Sequence, residues 1–215
     1  MKRESLETGD SGKRDVNRHR AGPLSIAERS TAYRGLLWSQ SVLLFGTGLV
    51  FPFYLIFLRE SGSSFTQFGL AYGLFTMSAA LLHPLAGRLS DRWGSARVLF
   101  ISAWGTALVF LLLPLLSSVS QLYAVQIVLG LLGALQKTAE KALLADITPS
   151  DHRGRRIGAY HGWGAVFSGL AVMAAGGLVD LFSIDFIFYV GSLAVFVSGC
   201  LLYRYRSVSS VSGGD

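Results

Sequence analysis

The chain has 215 residues, 51% of them apolar and only 15% charged, with a formal net charge of +6. A soluble domain of this size needs more polar surface, and the positive mean hydropathy points the same way, to a multi-span membrane protein. Six apolar runs, Leu36–Leu58, Phe68–Leu89, Val98–Ser118, Gln121–Ile147, Ile157–Val179 and Phe186–Tyr203, fill most of the chain and leave no room for a soluble catalytic domain.

Residues 1–34 hold Lys2, Arg3, Lys13, Arg14, Arg18, Arg20, Arg29 and Arg34 without an apolar core behind them, so they read as a disordered tail rather than a secretory signal. Glu4, Glu7, Asp10, Asp15 and Glu28 dilute the charge and no aromatic platform accompanies it. The tail is therefore an orientation signal, and no nucleic-acid partner is expected. With the N-terminus inside, every Lys and Arg falls on the inner side except Arg59 on the outer side and Lys137 and Lys141 within a span. That asymmetry predicts a multi-pass protein of the cell membrane with both termini cytoplasmic, in direct contact with the lipid bilayer. Residues 35–205 form the predicted six-helix bundle and 206–215 a second cytoplasmic tail. Trp38, Tyr33, Tyr203 and Tyr205 near inner ends, and Tyr123 and Tyr189 near outer ends, match an interfacial aromatic belt.

Span one carries Gln40, Thr47 and Tyr54 at intervals of seven, on one helical face. Such residues either bond between helices or line a cavity, and the spacing alone serves both readings. Pro52 lies in its outer third, where loss of a backbone donor bends a helix. After the short outer loop Arg59 to Ser63, Ser64-Phe65-Thr66-Gln67 has the form of a capping box that starts span two. Gly69 and Gly73 give that span a small-xxx-small step, and His83 comes about 22 Å below Phe68 along the axis, a depth at which a lone histidine is a hydrogen-bonded packing residue.

Between spans two and three lies the charged turn Pro84 to Arg97. Polar backbone cannot reverse direction in hydrocarbon, so this turn belongs at the membrane surface. Its core, Gly87-Arg88-Leu89-Ser90-Asp91-Arg92-Trp93-Gly94, resembles the G-x-L-[AS]-D-R-x-G loop that the major facilitator superfamily carries between its second and third spans.

Span three is almost wholly apolar and reads as scaffold, followed by a minimal outer turn at Val119-Ser120. Span four places Gln126, Gly133, Lys137 and Glu140 in a narrow sector of one face. Charges inside a span face a protein interior or a wet cavity, which makes this face a candidate site. Lys137 is about 24 Å from Gln121, near enough to the inner surface for Lys137, Glu140 and Lys141 to snorkel, and Lys137 is also in position to pair with Glu140. Pro149 ends the helix. The loop Asp151-His152-Arg153-Gly154-Arg155-Arg156-Ile157-Gly158 is similar, more loosely, to the loop between spans four and five of the same superfamily, or is an ordinary basic turn.

Span five has Gly158, Gly162, Ala165, Gly169 and Gly176 on a heptad-like seam, which predicts close approach of a neighbouring helix. Span six shows no charge before Arg204. Its Cys200 is the only cysteine, which excludes an intrachain disulfide.

The resemblance covers Leu36 to Tyr203 and implies an all-α fold of six transmembrane helices, arranged as two inverted three-helix repeats near 35–118 and 121–205, equal to the first half of a twelve-span secondary transporter. It implies a cytoplasmic gate at Gly87, Asp91, Arg92 and Gly94, with Asp146 an acidic partner for Arg92 or Arg88, and Arg153 and Arg155 are assigned to the same gate. Spans one and four would line the cavity, where the faces of Gln40 and Gln126 already pointed. Three features depart from the pattern. Ser95 and Ala96 replace basic residues of the loop, Gln126 stands where proton-coupled members have arginine, and Ser168, Val172 and Met173 interrupt the antiporter signature of span five.

The reading is a transporter of a small neutral or weakly charged solute, with Gln40, Thr47, Tyr54, Gln126, Lys137 and Glu140 at the cavity. It needs a second six-helix half, which is another copy in a homodimer, a separately encoded bundle or a lost C-terminal part, with the seam of Gly158, Gly162, Gly169 and Gly176 as the docking face. No cofactor or metal is expected. The competing class is a membrane regulator or transporter remnant that binds a partner and moves nothing. An enzyme is disfavoured because no nucleophile with a base and no pair of carboxylates appears.

Overall fold

The computed structural model describes residues 26–60, 64–149 and 153–211. Residues 1–25 and 212–215 of the expected tails, Ser61 to Ser63 of the first outer loop, and Asp151 and His152 of the second basic loop lie outside the described residues.

Six helices follow in order: α1 (Ile26–Glu60), α2 (Phe65–Trp93), α3 (Ser95–Leu112), α4 (Val119–Ile147), α5 (Arg153–Leu181) and α6 (Ile184–Val211). Each contains a segment long and apolar enough to cross a membrane. The only other regular element among the described residues is a 3-10 turn at Leu113–Leu115, built around Pro114.

Local chemistry sets several helix ends. At α2 the Gln67 amide donates to Ser64 Oγ at 3.2 Å, and the Ser64 amide to Gln67 Oε1 at 2.9 Å, the predicted capping box. A second box, Ser118 with Gln121, starts α4 at Val119, so the expected turn at Val119-Ser120 is already helical. The charged turn after span two is shorter than predicted. Helix α2 continues through Pro84 to Trp93, and Gly94 alone joins it to α3. Gly94 takes φ +86°, ψ 135°, a conformation open to glycine, while its amide bonds to the Ser90 carbonyl at 2.9 Å. Helix α4 stops at Ile147, with Thr148 extended ahead of Pro149.

Two boundaries differ from expectation. Residues 26–34, expected in the disordered tail, belong to α1, because the Tyr33 hydroxyl reaches the Arg156 carbonyl of α5 at 2.8 Å and Thr31 Oγ1 bonds to Ala27 O at 3.1 Å. At the other end α6 runs on to Val211, past the expected limit. Pro52 is accommodated within a continuous α1.

The helices pack in a fixed pattern: α1 against α5 and α6, α2 against α4, and α3 against α4 and α6. Exchanging α1, α2, α3 with α4, α5, α6 maps these contacts onto one another, α1–α5 onto α4–α2 and α1–α6 onto α4–α3. Four helices therefore lie side by side as α2–α4–α1–α5, with α3 and α6 behind the central pair. Lipid tails are as apolar as leucine, so this association rests on close packing and interhelical hydrogen bonds rather than on escape from water. Close approach is visible at Gly46, where an added methyl would sit 2.8 Å from the Gly191 carbonyl of α6, and at Gly130, where it would overlap Ser78 and the Phe75 carbonyl of α2. Ser39 Oγ donates to Ser198 O at 2.9 Å and Ser192 Oγ to Ala107 O at 2.7 Å. Between these points Leu49, Val50, Phe110, Leu113, Ile187 and Phe188 form the largest apolar core.

Candidate functional site

Span one delivers its three polar residues to different places. The Tyr54 hydroxyl accepts from Gln126 Nε2 at 2.8 Å, and both residues are buried between α1 and α4. Gln40 Oε1 accepts from Gln136 Nε2 at 2.8 Å, and Gln136 Oε1 in turn accepts from Ser102 of α3. Thr47 bonds back to the Leu43 carbonyl of its own helix at 3.0 Å and stays half-buried. Gln40, Tyr54 and Gln126 thus each make an interhelical hydrogen bond inside the bundle.

Gln136 and Ser102 join this network without having been singled out from sequence. Gln136 lies off the Gln126–Lys137 face by most of a quarter turn, so a search along that face passes it by. The only available signal was its polarity in an apolar run.

The α4 face changes character with depth. At Gln126 it is covered by Tyr54, at Gly133 the Phe75 ring lies across it, and at Lys137 it is exposed. Crossing helices cover one face at one depth and uncover it at another. Glu140 does not pair with Lys137; it accepts the Tyr160 hydroxyl of α5 at 2.7 Å. One residue from Lys137, Thr138 Oγ1 is 2.9 Å from His83 Nδ1 of α2, which assigns the histidine the hydrogen-bonded role expected of it. Lys137 therefore stands between two interhelical polar contacts, one to each outer helix of the layer.

On the side of Lys137 nearer the α1–α2 connection, aromatic rings link α1 and α2. Phe51 meets Phe75 edge-on at 6.3 Å, and Phe75 stacks with Tyr72 at 6.1 Å. Phe51 and Tyr72 are exposed. This wall offers apolar and π contacts and no charge.

The residues of the expected gate gather at the basic end of the bundle. Asp91 and Arg92 are exposed on the last turn of α2, Gly87 is half-buried with open space beside it, and Gly94 makes the turn. Asp146 is exposed at the end of α4, and it forms no ion pair with Arg88 or Arg92 among the described residues. Arg153 instead reaches back to the Ala145 and Thr148 carbonyls at 3.3 and 3.4 Å, capping α4, while Arg155 is exposed.

The glycine seam of α5 meets no helix among the described residues. Gly158, Gly162, Gly169 and Gly176 have no described heavy atom within 4 Å of an added methyl. Packing on α1 uses the other side of α5, through Tyr160, Gly164, Ala171 and Ala175, since α1 is the helix that lies most broadly against it among the described residues. Gly69 and Gly73 of α2 are equally open.

Comparison with known proteins places this arrangement. Residues 36–213 match the family model of the Major Facilitator Superfamily. The chain is similar to YitZ of Bacillus subtilis (strain 168), described as an uncharacterized MFS-type transporter, at 48% identity over 162 residues that cover 75% of this chain and 99% of that protein. It is 30% identical over 162 residues to the class H tetracycline resistance protein of Pasteurella multocida, covering 74% of this chain and 40% of that protein. With the multidrug resistance protein MdtG of Proteus mirabilis (strain HI4320) the identity is 30% over 158 residues, 71% of this chain and 39% of the relative. The chain therefore spans about two fifths of the length of these last two relatives. Six apolar helices, the Gly87–Gly94 turn and the family match agree: the chain is a multi-pass membrane protein that belongs to the Major Facilitator Superfamily, a family of transporters.

Proposed function

We propose that the chain forms one half of a secondary transporter of the cell membrane, with both termini cytoplasmic, and moves a small solute by rocking against a second six-helix bundle. The observation that carries this reading is the unequal burial of the layer. Its two outer helices, α2 and α5, are the least buried spans, and both present open glycines, while Lys137 lies exposed on α4 between them. A second bundle seated on α2 and α5 would enclose that face and turn it into a cavity. A second copy of the chain supplies such a bundle, docked through Gly158, Gly162, Gly169 and Gly176.

The solute in this reading is neutral or weakly charged and largely apolar. The aromatic wall of Phe51, Tyr72 and Phe75 supports it, as do the tetracycline and multidrug resistance relatives by their names. Lys137 and Glu140 contact the solute or its counter-ion near the basic end. Asp91, Arg92, Asp146, Arg153 and Arg155 form the gate, and the exposed carboxylates and guanidiniums take their ion-pair partners from the second bundle.

Proteoliposomes containing this chain alone, loaded against a panel of apolar and weakly basic solutes, test the proposal. Flux of at least one solute is expected, reduced about tenfold or more by Asp91→Asn and Glu140→Gln if each removes one charge-assisted contact. Flux that both variants leave intact would sink the gate and cavity assignments. Strong electrogenic uptake of a polyvalent ion would sink the solute class.

A further inference from the structure

Outside the α2–α4–α1–α5 layer, the first turn of α3 and the end of α6 leave a groove of about 280 Å³ lined by Ala96, Arg97, Phe100, Ile101, Leu202 and Tyr203. Its wall is a set of packed rings. Phe100 lies 4.6 Å from Trp104 and 5.7 Å from Tyr203, Trp104 lies 4.7 Å from Phe196, and the indole rests on Gly199, where an added methyl would come within 2.5 Å of it. Arg97 is exposed at the rim, and Arg204, also exposed, follows Tyr203. Among the described residues no carboxylate lines the groove.

One helical turn separates the exposed guanidinium of Arg97 from the exposed side chain of Ile101. An occupant must accordingly be anionic at one end and hydrocarbon about 6 Å away. A soluble anion satisfies the first demand and not the second, and a plain lipid tail the reverse. We infer that the groove seats one acyl chain of an anionic phospholipid, with the lining Arg97 holding its phosphate and the exposed Arg204, outside the lining, adding positive charge nearby. Guanidinium and phosphate match in charge and in geometry, and the aromatic wall gives the chain a rigid surface to lie on. The inference does not depend on transport, since the groove lies on the opposite helices from the exposed α4 face.

The full chain, purified in mild detergent, is mixed with palmitoyl-oleoyl phosphatidylglycerol or with phosphatidylcholine of the same chains, and bound lipid is counted by native mass spectrometry. Phosphatidylglycerol is expected to be retained about fivefold more than phosphatidylcholine for each arginine engaged. The double variant Arg97→Gln, Arg204→Gln should bring the two lipids to equal retention, and Ile101→Trp, at an exposed position that tolerates the larger ring, should displace both. Equal retention by the unaltered chain overturns the inference, as does a preference that survives the double variant. Unchanged lipid retention with loss of a dimer in Ile101→Trp would also overturn it, assigning the groove to a second copy.

Discussion

Tyr54 and Gln126 meet across 72 residues of sequence, and each is the other's hydrogen-bonding partner in an apolar surrounding. Tyr54→Phe should therefore cost about 1 kcal/mol, the scale measured for interhelical hydrogen bonds in membranes, read as a shifted midpoint of unfolding in mixed micelles. The Gln40–Gln136–Ser102 chain is better protected against loss of one member. Ser102 Oγ also reaches the Leu99 carbonyl at 2.9 Å, so Gln136→Leu strands only Gln40 and should cost no more than Tyr54→Phe. Gly94 is a harder case, because its φ of +86° and ψ of 135° lie where no side chain is comfortable. Gly94→Ala should destabilise by about 1–3 kcal/mol in the same assay, with nothing else in the turn changed. At this scale legibility follows distance along the chain. The Ser64 box was readable because donor and acceptor are three residues apart. Gln136 was not, because its partners lie 34 and 96 residues away.

Helix by helix, the glycines separate into two populations that look alike in the sequence. Gly130 of α4 has the α2 backbone against it, whereas Gly133, one turn on, has only the Phe75 ring at 3.8 Å. Gly130→Leu should push α2 off α4 and cost more than about 3 kcal/mol, while Gly133→Ala should be tolerated within about 0.5 kcal/mol, both read from thermal unfolding of the purified chain. The α5 seam belongs to the second population. Its heptad spacing correctly says that Gly158, Gly162, Gly169 and Gly176 share one side of the helix, but spacing carries no information about which neighbour lies there. The side that packs on α1 is marked by Gly164, Ala171 and Ala175, residues no smaller or more regular than those of the seam. The turn between α2 and α3 shows the same limit. Its charges place it at a membrane surface, yet they do not say that Pro84 would be absorbed into α2 and the reversal left to one residue.

For the molecule as a whole, the open glycines of α2 and α5 are where the proposed assembly is tested. If a second copy docks on the α5 seam, Gly169→Leu should abolish a crosslinkable dimer while leaving the monomer folded; an unchanged oligomer would argue for another docking face. Orientation is tested separately, with Cys200 replaced by Ser. An impermeant thiol reagent should label Arg92→Cys from the cytoplasmic side and Ser183→Cys from the outside, and labelling of both from one side would dismantle the six-span topology. Much of this architecture follows from the chain read alone. Six runs of apolar residues divided by short polar turns admit hardly any solution but six spanning helices, because each backbone must satisfy its hydrogen bonds within itself when the solvent is hydrocarbon. The Gly87–Gly94 turn was enough to point to the family. What required the tertiary structure was the fate of the side chains within those spans: that Gln40, Tyr54 and Gln126 tie helices together, that Glu140 belongs to Tyr160, and that Lys137 is left exposed. Helical periodicity sorts residues by angle about one axis, whereas the crossing of helices at an angle decides at which depth each side is covered, and that is a property of pairs of helices rather than of any one stretch of sequence.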